Sequence, residues 1–272
     1  MRGVLQKTCI VILISVLLTI ISLGAASATD WNVTPGESIQ DTLNIVNDND
    51  TVIVKDNGGT GATYNENIVL NKNISLISNG NVTISASNPS ESVVTINSGA
   101  SGSILSGFII TGATGSNGIS LNANNCQIVN NTIHSNDVGI RVSSNAGINE
   151  IKGNDIYGNN IGIYNNAGTL NANFNRIVSN TNYDVVATGG NVDAENNWWG
   201  SNNGPTEEKI NGNVDYNPWL TLTLLPNYTT PGNSCVVTAT LKYNSNGEDT
   251  SNTGNYAPNG ITTTFNCYTP DD

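Results

Sequence analysis

The feature of the sequence that most constrains the fold is a repeat of about 22 residues. Four segments superpose, beginning at Ile128, Ile151, Ala172 and Ala194. Each segment carries two asparagines five residues apart, and successive copies follow after 23, 21 and 22 residues. The two series are Asn131, Asn154, Asn175 and Asn197, and Asn136, Asn159, Asn180 and Asn202. Self-similarity at a period of 20 to 50 residues indicates a solenoid or another repeat architecture.

Short alternating strands broken by Asn and Gly, at about 22 residues a turn, predict an all-β fold, a right-handed parallel β-helix. The corners of a coil require left-handed backbone, which Gly adopts freely and Asn tolerates well. Equivalent asparagines one coil apart can also pair their side-chain amides. The sequence therefore predicts two Asn ladders, and the 48 asparagines of the chain are largely a property of the scaffold.

Composition and spacing divide the chain into four parts. Residues 1–28 read as a signal peptide, because Arg2 and Lys7 precede an apolar run that ends in small residues; the alternative is an uncleaved membrane anchor. Residues 29–50 are predicted to form a cap with a short amphipathic helix, and 51–217 the β-helix. Residues 218–272 are predicted to form an incomplete Ig-like domain, because only three alternating strands (220–225, 235–243 and 261–265) fit there.

Charge and motif content exclude several classes of function. Lys and Arg number 9 against 21 Asp and Glu, and the net charge of −12 disfavours nucleic acids as partners. The chain has one histidine and no Cys/His metal spacing, so neither a metal nor a cofactor is predicted. The acidic run 47–50 lacks the rest of an EF-hand loop and reads as a solvated turn. The glycine-rich run 58–61 lacks the Lys-Ser/Thr pair of a phosphate loop.

Export would permit two kinds of covalent modification. Cys235 and Cys267 lie in the same C-terminal part and would either pair in an oxidising compartment or stay reduced, whereas Cys126 stands alone. Asn-x-Ser/Thr sequons are candidate N-glycosylation sites, although some must arise by chance in so asparagine-rich a chain. They begin at Asn32, Asn49, Asn73, Asn81, Asn130 and Asn227.

The asparagine-rich coils, the run 195–205 (ENNWWGSNNGP), the exit 215–219 (DYNPW) and the run 258–261 (PNGI) together resemble one protein family. They are similar to the adhesin-like surface proteins of methanogenic archaea, which are β-helices followed by bacterial Ig-like domains. The resemblance implies a secreted or cell-surface protein that binds glycans or the surfaces of host or neighbouring cells. It departs from the family at the end, where such proteins usually continue through further Ig-like repeats.

Two pairs of side chains are candidates for ligand binding. His134 and Arg141 follow the inward residues Ile133 and Ile140, so they are predicted to point outward, and their copies one coil on are Tyr157 and Tyr164. Such stacked aromatic and cationic groups can hold sugar rings. The alternative is that they are cross-strand pairs that stabilise the sheet. Trp198 and Trp199 are likewise either a sugar platform or a hydrophobic plug of the last coil.

The repeats do not supply a catalytic pair by alignment. Sugar-cleaving enzymes require two carboxyl groups on one face, and no two acids fall on adjacent coils: Asp137 aligns with Asn160, and Asp155 with Arg176. The sequence therefore favours a non-catalytic adhesin-like protein. The alternatives are a secreted carbohydrate-active enzyme, a polysaccharide lyase, hydrolase or epimerase of the pectate-lyase-like class, and a structural component of the cell envelope.

Overall fold

A computed structural model describes residues 27–143, 147–166, 168–227, 236–253 and 257–258. These residues form an almost entirely β structure with one short helix, α1, at Ile39–Ile45. Short 3₁₀ turns lie at Ser98–Ala100, Glu207–Lys209 and Ser251–Thr253. The strands are β1 (Asp30–Val33), β2 (Thr51–Lys55), β3 (Ala62–Asn65), β4 (Ile68–Leu70), β5 (Ser75–Ser85), β6 (Val94–Ile96), β7 (Ile104–Thr111), β8 (Asn117–Leu121), β9 (Gln127–Val129), β10 (Thr132–His134), β11 (Val138–Val142), β12 (Glu150–Lys152), β13 (Asp155–Tyr157), β14 (Ile161–Asn165), β15 (Thr169–Asn173), β16 (Arg176–Val178), β17 (Tyr183–Asp193), β18 (Ile210–Asp215), β19 (Leu220–Asn227) and β20 (Val236–Asn244).

The first eighteen strands form a β-solenoid of about eight turns, which confirms the predicted parallel β-helix. Each strand pairs in parallel with its copy one coil on, which divides the sheet into three ladders. Ladder 1 contains β1, β2, β9, β12 and β15, together with parts of β5, β7, β17 and β18. Ladder 2 contains β3, β10, β13 and β16, with the second halves of β5 and β7. Ladder 3 contains β4, β6, β8, β11 and β14, with the first parts of β17 and β18.

Successive coils stack with their hydrophobic residues in line. In ladder 2, for example, Ile133 pairs with Ile156 and Ile156 with Ile177, and all three side chains are fully buried. Burying an aliphatic side chain of this size contributes about 1.5–3 kcal/mol. Coils differ in length, because Ser75 pairs with Ile104, 29 residues further on, whereas Gln127 pairs with Glu150, 23 residues further on. The longer early coils explain why the repeat is less regular in that part of the sequence.

Helix α1 lies where the sequence predicts a short amphipathic helix, and it covers the first coils. Its buried residues are Ile39 and Leu43. The Glu66 carboxylate accepts hydrogen bonds from the main-chain N–H groups of Ile39 and Gln40, both at 2.9 Å, so it satisfies donors that a helix N-terminus leaves free. The Gln40 side-chain amide bonds both the N–H (2.7 Å) and the carbonyl (3.4 Å) of Val69 in β4. The helix therefore also pairs with main-chain groups of the first strand of ladder 3.

The C-terminal part changes architecture after the last coil. Trp198 and Trp199 are both more than nine-tenths buried, so neither is exposed as a sugar platform. Trp199 packs in the core of the solenoid, whereas Trp198 packs in a separate cluster with Phe174 and Leu220. β19 and β20 form a separate antiparallel pair. The third predicted strand, 261–265, and the apolar run of the predicted signal peptide lie outside the described residues. Within the described ranges, no helix is long and apolar enough to cross a membrane.

Candidate functional site: the outer surface and the asparagine ladders

The first asparagine ladder runs along one corner of the solenoid through Asn131, Asn154, Asn175 and Asn197. Each side chain is at most 1% exposed. The Nδ2 of each of the first three residues donates to the Oδ1 of the next, at 3.1, 3.0 and 3.1 Å. In each of these pairs the main-chain N–H of the donating asparagine also donates to the same Oδ1 atom, at 2.9, 2.9 and 2.7 Å. Each amide therefore joins its own coil to the next.

The second asparagine ladder contains Asn136, Asn159 and Asn180, which are joined by Nδ2–Oδ1 bonds of 3.2 and 3.1 Å. It is flanked by glycines: a Cβ on Gly139 would lie 2.5 Å from the Gly162 carbonyl oxygen and 3.1 Å from Asn159 Nδ2. The ladder therefore requires a residue without a side chain at that position.

The second asparagine ladder ends at Asp184. This residue occupies the position equivalent to Gly139 and Gly162 on the following coil. Asn180 Nδ2 donates to the Asp184 carboxylate at 2.8 Å. Burial raises the pKa of Asp184, and the hydrogen bonds from Asn180 oppose that rise.

The expectation that Asn202 continues the second asparagine ladder is wrong. Asn202 is exposed, and its side chain exchanges hydrogen bonds with Leu222 instead: Oδ1 accepts from the N–H at 2.6 Å and Nδ2 donates to the carbonyl at 3.0 Å. The reason is that the chain turns away at Gly200, which has a φ of +81°, and leaves the coil before residue 202.

Sequence reasoning missed a third buried asparagine position, Asn149. Its Oδ1 accepts from the N–H of Cys126 at 2.8 Å, and its Nδ2 donates to the Ala123 carbonyl at 3.0 Å. The signal was present, since Cys126 and Asn149 are 23 residues apart, which is one coil. Cys126 is fully buried, and burial raises the pKa of its thiol.

On the outer surface of ladder 2, His134 stacks on Tyr157. The ring centroids are 5.2 Å apart and the planes are 17° from parallel. Arg176, on the next coil, places its Cζ 5.6 Å from the Tyr157 centroid and its Nη1 2.5 Å from Asp155 Oδ1. Partial burial lowers the pKa of His134, and the charge of Asp155 opposes this shift. At neutral pH the patch therefore contains a neutral imidazole and an internally balanced ion pair.

On the outer surface of ladder 3, Arg141 lies over Tyr164, with Cζ 4.7 Å from the ring centroid. The Tyr164 hydroxyl accepts a hydrogen bond from Thr188 at 3.1 Å. Ser120 is the register partner of Arg141 on the preceding coil. All four residues are at least partly exposed, so this column presents a guanidinium among hydroxyl groups.

The two predicted pairs lie on different ladders, with the corner of residues 135–137 between them. The two pairs therefore belong to two separate outer surfaces. In ladder 2, His134 and Arg176 come from the coils on either side of Tyr157, so both faces of that ring are covered. A sugar approaching from solvent would meet ring edges, the phenol and the guanidinium groups, with no open aromatic face to stack on.

The expectation that no acids align on adjacent coils is wrong at the end of ladder 1. Asp193 and Asp215 are register partners there. Glu195 lies nearby, and its pKa is raised by burial and by the charges of Asp193, Asp215 and Glu248. The repeat alignment missed this pair because Asp215 follows a long loop outside the repeat. Within the described ranges, no three His, Cys, Asp or Glu side chains are grouped so as to hold a metal ion.

The expectation of a solvated turn at 47–50 is also wrong for Asp50. This carboxylate is 1% exposed and accepts hydrogen bonds from the Thr29 N–H (2.8 Å), the Trp31 indole (2.9 Å) and the Asn47 N–H (2.8 Å). These bonds, that of Asn47 first, lower the pKa of Asp50. Asp50 ties the first strand to the second coil.

The sites predicted for modification lie in different environments. Four sequon asparagines are exposed, namely Asn32, Asn49, Asn81 and Asn130. Asn73 is partly buried and donates its Nδ2 to Asn49 Oδ1 at 3.3 Å. The side chain of Asn227 and both Cys235 and Cys267 lie outside the described residues.

The fold and its outward polar columns define a parallel β-solenoid with a hydrogen-bonding outer surface. Over 129 residues the chain is 37% identical to a cell surface glycoprotein of the methanogen Methanothermus fervidus. That stretch is 44% of this chain and 20% of the glycoprotein, so the similarity covers a fifth of the relative's length. No family model matches the sequence. No solved structure matches it either.

Proposed function

We propose that this protein is an exported, non-catalytic β-solenoid of the cell surface that acts as an adhesin and binds glycans through its outer ladders. The observation that carries the proposal is the similarity to a methanogen cell surface glycoprotein. The β-solenoid supports it, because a rigid stack of coils presents outward side chains in regular columns. The net charge of −12 suits an exported surface protein and disfavours nucleic acids as ligands.

The geometry supports binding by hydrogen bonds to sugar hydroxyls. Tyr157 and Tyr164 hold their rings between or beneath neighbouring side chains, which fixes the phenols and guanidinium groups in place before a ligand arrives. Prepositioned groups lose less conformational entropy on binding than free ones. The same contacts also stabilise the sheet, so the test has to separate binding from folding.

A glycan array probed with residues 29–272 tests the proposal. The variant carries alanine at the four candidate positions, and the matched control carries alanine at four outward positions on earlier coils of the same two ladders. We expect the variant to bind at least about tenfold more weakly, a change of about 1.4 kcal/mol, and the control to bind normally. Equal binding by all three proteins, each shown to be folded by circular dichroism, would refute the site. The variant positions are His134, Tyr157, Arg141 and Tyr164; the control positions are Thr63, Asn65, Thr83 and Thr95.

A secreted carbohydrate-active enzyme is the second candidate, and one observation favours it. Asp193 and Asp215 stand on neighbouring strands, about 4.8 Å apart at the backbone, and the raised pKa of Glu195 suits a proton donor. Retaining glycosidases hold two carboxyl groups about 5–5.5 Å apart. Incubation with pectin, alginate and mucin glycans tests this function. New reducing or unsaturated ends that form with the natural chain and disappear with Glu195→Gln would establish it and overturn the non-catalytic proposal.

A further inference from the structure

The charges of the outer surface differ between the two candidate columns. The described residues contain two arginines, and Arg176 is neutralised by Asp155 at 2.5 Å. Arg141 makes no ion pair with any described carboxylate. Most of the described lysines are also engaged, either with an acid or with main-chain carbonyl groups. Lys152 pairs with Glu150, Lys242 pairs with Asp249, and Lys72 and Lys209 donate to carbonyl oxygens.

The surroundings of Arg141 leave its charge uncompensated. In ladder 3, the strand segments from β6 to the first part of β17 contain one acidic residue, Asp184. Asp184 is 6% exposed and bonded to Asn180, so it does not reach the outer surface. The neighbours of Arg141 in its column are the partly exposed hydroxyl residues Ser120 and Tyr164. A chain with an excess of twelve negative charges thus presents a local positive surface here.

The guanidinium is also held in one place. Its Cζ lies 4.7 Å from the centroid of the Tyr164 ring, which restricts the side chain through a cation–π contact. Arg141 makes no hydrogen bond through its guanidinium to any residue that the structure describes, so its N–H groups are available. A planar guanidinium binds carboxylate and sulfate groups through two parallel hydrogen bonds, which a lysine ammonium cannot do.

We propose that Arg141 gives the outer surface of ladder 3 a preference for anionic saccharides, those whose sugar rings carry a carboxylate or a sulfate. Arg141 binds the acidic group, and the hydroxyl groups of Ser120 and Tyr164 bind the neighbouring sugar hydroxyls. The outer surface of ladder 2 has no such preference, because Asp155 already occupies Arg176. This inference rests on the proposed glycan binding and adds the charge class of the ligand.

The test uses residues 29–272 and two matched probes, a fluorescent galacturonate hexasaccharide and the same hexasaccharide with its carboxyl groups reduced to alcohols. We expect the acidic probe to bind about tenfold more tightly than the reduced one. Arg141→Gln abolishes this difference, Arg141→Lys restores part of it, and Lys55→Gln, which removes a positive charge from ladder 1, leaves it unchanged. Raising the salt concentration weakens binding of the acidic probe alone. A sulfated oligosaccharide distinguishes the two sources of negative charge.

Two outcomes overturn the inference, and they are distinguishable from failure of the proposed function. Equal binding of both probes would show that the surface binds glycans without a preference for negative charge. A folded Arg141→Gln variant that keeps the preference would show that Arg141 is not its source. If neither probe binds but neutral glycans on the array do, the inference is again wrong and the proposed function stands. If neither the probes nor the array give binding, both proposals are wrong.

Discussion

Truncating one residue of the first asparagine ladder, Asn154→Ala, should destabilise the whole solenoid. Asn154 is fully buried, and its Oδ1 accepts from the N–H (2.9 Å) and the Nδ2 (3.1 Å) of Asn131. Its Nδ2 donates to the carbonyls of Ile128 (2.7 Å) and Lys152 (3.1 Å) and to Asn175 Oδ1 (3.0 Å). Alanine removes all five bonds and leaves a buried cavity.

The magnitude follows from which groups lose their partners. Asn131 Nδ2 keeps its bond to the Leu105 carbonyl, and Asn175 Oδ1 keeps the Asn154 N–H, but the main-chain N–H of Asn131 is left unpaired inside the corner. A buried donor without an acceptor costs about 1–3 kcal/mol. With the cavity added, we expect a loss of about 3 kcal/mol in the free energy of unfolding. For a domain of this size that lowers the melting temperature by about 6–12 °C.

Urea denaturation followed by circular dichroism measures the effect, with Asn182→Ala as the control. Asn182 is exposed and donates a single side-chain bond to Asn160 Oδ1, so its loss should change stability by less than about 0.5 kcal/mol. Asn154→Asp keeps the size and the acceptor but loses the donors, and its buried carboxylate should destabilise more at pH 7 than at pH 4. Equal effects of the buried and exposed substitutions would refute the claim that the ladder stabilises the fold.

Three further predictions concern the same corners. Asp184→Asn should become more stable than the natural chain as the pH rises from 3 to 7. The pKa of Asp184 is raised in the folded state, so the protonated acid contributes fully to the stability of the natural chain below pH about 3.8. That contribution is lost as the pH rises through the pKa of the folded state, whereas asparagine does not titrate. Gly139→Ala should lower the melting temperature by several degrees, because its Cβ meets the Gly162 carbonyl, whereas Gly168→Ala, with nothing within 4 Å, should be nearly neutral; equal melting temperatures would contradict this. Cys126 should resist iodoacetamide until the chain unfolds, which peptide mapping by mass spectrometry detects, since it is buried and its thiol pKa is raised; rapid labelling of the folded chain would show that the corner opens locally.

The repeat predicted the register of the outward residues but not their grouping. Sequence spacing aligned His134 with Tyr157 and Arg141 with Tyr164, and the strand pairing has the same partners. The alternation of side-chain direction along a strand predicts which side chains point outward, but it does not predict the ladder to which the strand belongs. That depends on the left-handed residue Ser135, with φ of +57°, which starts the corner between β10 and β11.

Features outside the repeat could not be found by superposing its copies. Asp215 aligns with Asp193 only because the chain returns to ladder 1 after the loop that follows Gly200. Asp50 is buried because Thr29 and Trp31 close over it, and this contact joins residues some 20 positions apart before the regular repeats begin. Both contacts depend on how the chain enters or leaves the solenoid, which the periodicity of the central coils does not encode.

Corner residues hold the coils together and outward residues form the surface, so substitutions can change the surface independently of the stacking of coils. Corner asparagines bond the main chain of the neighbouring coil, so they constrain the stacking of coils but not the length of chain between corners. The step from Ser75 to Ile104 is longer than later steps by about six residues, yet the ladders continue through it. The side chains of outward residues such as Arg141 and Tyr157 contact other outward side chains on neighbouring coils. Substitutions there should change binding with little effect on folding, whereas substitutions at Asn154 should do the reverse, and the two classes can therefore be separated by measuring both properties on each variant.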